Sequence, residues 1–182
     1  MPYNKQLKTS LLLVFFLIRW YNITGEIMKK RSILLVLGLV LIDRIIKYLV
    51  TTYIAFNGSV KVIDSFFYLT NILNSGAAWS ILRGNRFFLI FIAIASLIVL
   101  YYIMKSTKKM PLLDQVLYSI LSAGIIGNLI DRIFYGGVID YLEFIIFKYN
   151  FPIFNFSDIL IVISIIFISY RILKEGEPSV RN

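Results

Sequence analysis

Four stretches of the chain stay apolar for about the 20 residues that a helix needs to cross a bilayer core. They run from Ser32 to Thr51, from Phe87 to Met104, from Leu112 to Tyr135 and from Asn155 to Leu173. Polar and turn-forming residues separate them. The pattern predicts a single bundle of four transmembrane helices, with two connections on one side, residues 52 to 86 and 136 to 154. The first holds Val60-Lys61-Val62 and the aromatic run Phe66-Phe67-Tyr68, which suit short strands, with Gly58 and Gly76 as turn points. It predicts a small sheet resting on the membrane surface. The second holds Gly136-Gly137 and the apolar Phe144 to Phe147, too short to span, which predicts an interfacial loop or helix. That loop is expected to cover a site, with the glycine pair as its hinge.

Charge orients the bundle. Lys29, Lys30 and Arg31 precede the first span, Lys105, Lys108 and Lys109 lie between the second and third, and Arg171, Lys174 and Arg181 follow the fourth. The opposite side carries Lys61, Arg83, Arg86 and Lys148, spread over longer loops. The positive-inside rule therefore predicts cytoplasmic termini and two outer connections. Residues 1–27 stand apart as an N-terminal extension, read either as the product of an upstream start or as an interfacial segment: Leu11 to Ile18 is too short to span, and Met28-Lys29-Lys30-Arg31 leads directly into the first span. Residues 28–182 form the expected single membrane domain.

Composition agrees with this class. Hydrophobic residues make up 59% and charged residues 16%, against about 25% charged in soluble domains. Mean hydropathy is +0.80. The net charge of +9 is clustered between apolar spans, which suits anionic lipid headgroups and not nucleic acid. The absence of Cys and His excludes disulfides, thiolate nucleophiles, Ser-His-Asp triads and His-based zinc sites. A hydrolase built from this chain must use carboxylates for its proton chemistry.

Ionisable residues inside a bilayer are costly and call for a partner or a task. Asp43, Arg44, Lys47, Asp131, Arg132 and Asp158 lie in or at the rim of the spans. Asp43 and Lys47, four apart, share a helix face; they form either a salt bridge or part of the wall of a site. Gly124, Asn128, Asp131 and Arg132 make a polar stripe on the third span. Gly124 and Gly127 suit close helix approach, Asn128 can bridge between helices, and Asp131 with Arg132 reads as a structural rim pair. Asn155 with Asp158 three residues on resembles a capping box. Asp140, however, follows the third span on the same membrane side as Asp158. Two carboxylates at one face and one depth cannot both ionise easily in a partly dry site. One can then act as general base on water while the other, protonated, polarises a carbonyl and protonates a leaving amine. A proton-coupled transporter and a non-enzymatic assembly factor are the alternatives. The first is disfavoured because Asp140 and Asp158 fall at one rim.

Five blocks carry a resemblance to the lipoprotein signal peptidase (signal peptidase II) family: Asp43-Arg44-Ile45-Ile46-Lys47, Asn74 to Ser80, Gly127 to Arg132, Gly137-Val138-Ile139-Asp140-Tyr141 and Phe154 to Asp158. They occur in the family's order over roughly residues 33 to 173. The resemblance implies an aspartic endopeptidase of the bacterial cytoplasmic membrane, active near its outer face and needing no cofactor or metal. Its implied substrates are prolipoproteins carrying diacylglycerol, cut on the N-terminal side of the lipidated cysteine. Membrane lipids and cyclic peptide inhibitors of the globomycin type are its implied further partners. Carried over by position, Asp140 and Asp158 match the catalytic pair, and Asp43, Lys47, Asn74, Gly76, Asn128, Arg132 and Asn155 match supporting or substrate-contacting positions. Trp79, Tyr141 and Ser157 depart from the family's usual Phe, Phe and Ala.

Overall fold

The computed structural model describes residues 30–76, 82, 84–107 and 110–175. The N-terminal extension, Trp79, Arg83, Lys108, Lys109 and Arg181 lie outside the described residues. The chain forms helix α1 (Lys30–Tyr53), strands β1 (Ser59–Ile63) and β2 (Phe67–Asn74), helices α2 (Arg86–Ser106) and α3 (Leu112–Tyr135), strands β3 (Val138–Ile146) and β4 (Tyr149–Asn150), and helix α4 (Phe156–Glu175).

Helix α3 is the centre of the bundle and packs against α1, α2 and α4. Its membrane-length stretch is 61% buried, against 22% for α2 and 17% for α4. That difference explains where the polar stripe had to fall, because only α3 has protein on most sides. Val40, Ala123, Ile130 and Leu160 form the apolar contact among α1, α3 and α4. Leu100, Met104, Met110, Tyr118 and Leu121 join α2 to α3. Large apolar side chains such as Phe91, Val99, Ile163 and Phe167 point outward and exposed, as expected of lipid-facing surface.

Among the described residues, three helices, α2, α3 and α4, are long and apolar enough to cross a membrane. The expected first span is present as a 24-residue helix, α1. Every membrane-length stretch of it nevertheless includes Asp43, Arg44 and Lys47, so it has the length of a span without the composition.

The four strands form one antiparallel succession, β1-β2-β3-β4. The short strands expected at Val60 to Val62 and at Phe66 to Tyr68 are present as β1 and β2, and β2 starts one residue later and runs on to Asn74. The expected interfacial loop or helix of residues 136 to 154 is instead mostly strand, and half of the sheet comes from it. Gly136, at φ 82°, closes α3 in the left-handed conformation that a Cβ would disfavour. Gly137 then passes so close to β2 that a Cβ there would lie 2.7 Å from the Asn74 carbonyl oxygen. The glycine pair thus forms a helix stop and a close crossing, and it delivers the chain straight into β3. Asp140 faces Ile72 across the ladder, and Asn74 faces Val138. A one-residue bulge in β2 lies between Leu69 and Ile72. Asn71, in that bulge, donates Nδ2 to the Ile54 carbonyl just beyond α1 at 2.8 Å, tying sheet to helix. At the far end Phe147 and Lys148 both have positive φ, the geometry of a tight two-residue hairpin turn.

Candidate active site

Asp140 and Asp158 come from different kinds of element, and each is placed by local rules. Asp158 is the third residue of α4. Its Oδ2 accepts the Asn155 backbone N–H at 3.1 Å, while its own N–H donates to Asn155 Oδ1 at 3.0 Å. This reciprocal capping box fixes the first turn of α4 and holds the Asp158 side chain toward its start. Asp140 lies in β3, where Asn74 is its diagonal neighbour on β2; Asn74 Nδ2 donates to Asp140 Oδ2 at 3.0 Å.

The amide of Asn155 connects the two acids. Its Nδ2 donates to Asp140 Oδ1 at 2.6 Å while its backbone N–H holds Asp158. Asn128, from α3, donates Nδ2 to Asp158 Oδ1 at 2.7 Å, and its Oδ1 lies 3.3 Å from Asn155 Nδ2. All four carboxylate oxygens therefore have a donor, and every donor is neutral. Asp140 is 2% exposed. Burial, and then the negative charge of Asp158, push its carboxyl from the ordinary 3.8 up to about 7, although the Asn74 and Asn155 hydrogen bonds and the Lys47 charge act against this. A pair of this kind can share one proton near neutral pH, the condition for general acid and base work by two like groups.

Gly76 and Arg132 border this pair. Asn74 Oδ1 accepts the Gly76 N–H at 2.9 Å, and Arg132 Nη2 donates to the Gly76 carbonyl at 3.2 Å. Arg132 Nη1 reaches the Asn128 carbonyl at 3.4 Å. The expected rim pair of Asp131 with Arg132 is not formed. Asp131 instead faces α1, where its Oδ1 accepts from Arg44 Nη1 at 2.6 Å and its Oδ2 lies 2.6 Å from Lys47 Nζ. The reason is directional: on α3, position 131 looks into the α1 interface while Arg132, one residue on, turns about 100° toward Gly76.

Asp43 and Lys47 do pair, at 3.2 Å, within a larger group. Arg44 Nη2 donates to Asp43 Oδ2 at 2.5 Å and to the Gly127 carbonyl at 3.0 Å, and Ser157 Oγ donates to Asp43 Oδ1 at 2.8 Å. Two acids and two bases thus cancel in the interior. Gly124 and Gly127 are at close helix contacts, as expected. A Cβ on Gly124 would lie 2.6 Å from the Ser157 carbonyl oxygen, and one on Gly127 would lie 3.0 Å from Asp43 Oδ2. Arg44 and Ser157 were not assigned to this assembly from sequence. Arg44 adjoins Asp43, and adjacent helix positions do not face each other. Only the length of the guanidinium lets it fold back while also reaching α3. Tyr141 was likewise missed: its hydroxyl accepts the Phe156 N–H at 3.0 Å, steadying the start of α4.

A family model for signal peptidase II matches residues 34–174. The chain belongs to that family. Lipoprotein signal peptidases of Staphylococcus aureus strains JH9 and Newman are each 40% identical to it over 144 residues, covering 79% of this chain and 88% of theirs. A solved bacterial membrane enzyme, determined by the in meso method at 2.3 Å resolution, matches with a TM-score of 0.74 and 38% identity over 84% of this chain and 93% of its own. A second, at 1.9 Å resolution, gives a TM-score of 0.71 and 39% identity over 80% and 94%. The signal peptidase II region takes in every described residue of the site, from Asp43 to Asp158.

Proposed function

We propose that this member of the signal peptidase II family is an aspartic endopeptidase that removes the signal peptide from diacylglyceryl-modified bacterial prolipoproteins, with Asp140 and Asp158 as its catalytic pair. The observation that carries the reading is Asn155, which holds one acid by its amide and the other by its backbone. The pair shares one proton. The charged carboxylate takes a proton from water as the water attacks the scissile carbonyl, and the protonated one hydrogen-bonds that carbonyl oxygen. The amine then leaves with a proton from the pair. Asn74, Asn128 and Asn155 orient the acids, and Gly76 and Arg132 form the border where the peptide lies.

In this reading α1 is the fourth span. Asp43, Arg44 and Lys47 are at most 8% exposed and neutralised against α3, whereas Leu34, Leu41, Ile42, Ile45 and Leu49 are exposed. A helix that turns its charges inward and its aliphatic residues outward can cross lipid. The termini are cytoplasmic, the catalytic pair lies near the outer face, and the sheet rests on the outer surface. Phe147, fully exposed beside Lys148 at the hairpin tip, suits the headgroup region there. Cyclic peptides of the globomycin type compete for the same cleft.

The test is incubation of the purified protein with a proform whose cysteine carries diacylglycerol, followed by mass spectrometry. The expected product begins at the lipidated cysteine, and the unlipidated proform stays intact. Cleavage elsewhere, or none, would reject the proposal.

A further inference from the structure

We propose that Asp131 is a positioning residue for the catalytic pair, acting through the backbone of β3. This inference rests on the assignment of Asp140 and Asp158 above and goes beyond it. Asp131 Oδ2 accepts the backbone N–H of Ile139 at 3.2 Å. Ile139 is the residue before Asp140, so this bond fixes the strand immediately beside the reacting carboxyl. The Asp131 carboxylate is itself held from two directions by α1, through Arg44 Nη1 and Lys47 Nζ, each at 2.6 Å. Lys47 Nζ also lies 3.4 Å from Asn128 Oδ1, and Asn128 holds Asp158. One buried unit therefore reaches Asp140 through a backbone amide and Asp158 through a side-chain amide.

Stability alone gives little reason for such a unit. Asp43, Arg44, Lys47 and Asp131 are all buried. Removing four charges from water is costly, and an apolar replacement of similar volume is commonly neutral or stabilising. What an apolar contact cannot supply is a directed acceptor for the Ile139 N–H. A displacement of about 1 Å between catalytic groups and substrate lowers rates by about 10²-fold, so a device that fixes β3 against α1 and α3 acts on turnover more than on substrate binding.

The experiment compares three purified proteins in lipid: the wild type, Asp131→Asn, and the charge-balanced pair Arg44→Met with Asp131→Leu. The balanced pair leaves Asp43 and Lys47 to each other and guards against a fold lost to unpaired charge. Thermal unfolding, kcat, KM and the pH profile are measured with a lipidated proform. The balanced pair, which offers no acceptor to the Ile139 N–H, is expected to lose at least about 10-fold in kcat with KM changed by less than about 3-fold, and Asp131→Asn, which keeps one acceptor oxygen but loses the charge that Arg44 and Lys47 hold in place, is expected to lose less. In Asp131→Asn the pH optimum is expected to move down. The charged groups facing Asp140 are Asp158 on α4, Lys47 on α1 and Arg132 on α3. Losing the Asp131 charge leaves Lys47 less opposed and favours ionised Asp140. Variants with normal kcat and pH profile and only a lower unfolding temperature would overturn the proposal, as would failure of both to fold. Asp140→Asn is assayed alongside. If it is active, the catalytic assignment itself fails, whatever Asp131 does.

Discussion

Asp140 makes the stability of the protein depend on pH in a direction opposite to that of an ordinary surface carboxylate. In the unfolded chain its carboxyl loses a proton near the ordinary value of 3.8, whereas burial and the neighbouring Asp158 hold that proton in the folded protein until about pH 7. Between these values the folded state binds more protons than the unfolded state, so stability falls as pH rises and levels off above about 7. The whole interval is worth on the order of 4 kcal/mol, and the part from about pH 5 to 8 on the order of 3 kcal/mol. By the scaling of soluble domains of this size, about 2–4 °C per kcal/mol, the unfolding temperature is expected to fall by roughly 10 °C between about pH 5 and 8. Asn cannot ionise, so Asp140→Asn should be the more stable protein at about pH 8 and should flatten the pH dependence. The assay is thermal unfolding of both proteins in the same lipid or detergent at a series of pH values. Parallel curves for wild type and variant would refute the claim that this carboxyl is held protonated by its surroundings.

Other consequences concern packing and topology. Gly127→Ala should destabilise by about 1–3 kcal/mol, because its Cβ would meet Ser157 Oγ and Asp43 Oδ2. Gly38→Ala, with nothing within 4 Å, should not destabilise, and equal losses at the two positions would contradict the account. Single cysteines placed at the exposed Ser59 and Ser106 should label from the outer and cytoplasmic sides respectively, and reversed labelling would put the proposed catalytic pair at the wrong face. Removal of residues 1–27 should leave insertion and cleavage nearly unchanged, so a folded but inactive truncation would show that the extension has a function.

The helices were legible because their signal is local. The apolar run of Leu112 to Tyr135 is α3 to the residue, and Phe87 to Met104 differs from α2 by one or two residues at each end. The capping box at Asn155 and Asp158 was legible for the same reason: its partners are three residues apart. Strand β3 was not. Val138 to Ile146 is too uniformly apolar toward its end to show clean alternation, and its partners on β2 lie more than 60 residues earlier, as with Ile72 and Asp140. Distance along the chain also hid the partner of Asp131, since spacing rules find helix neighbours but not Arg44, 87 residues away. Topology could bring the two acids to the same end of the bundle, whereas the bridging of both by Asn155 required the fold.

The most direct test of the catalytic assignment is the turnover of purified Asp158→Asn protein on a lipidated proform, measured beside its unfolding temperature. Asn keeps an oxygen that can accept the Asn155 N–H, so the cap on α4 survives if capping is all that Asp158 does. A catalytic Asp158 predicts a loss of at least about 10²-fold in turnover with little change in unfolding temperature. It also predicts that adding Asp140→Asn makes turnover little worse, because the two acids act as one unit. Near-normal turnover by folded Asp158→Asn protein would contradict the account and leave Asp158 a helix cap alone.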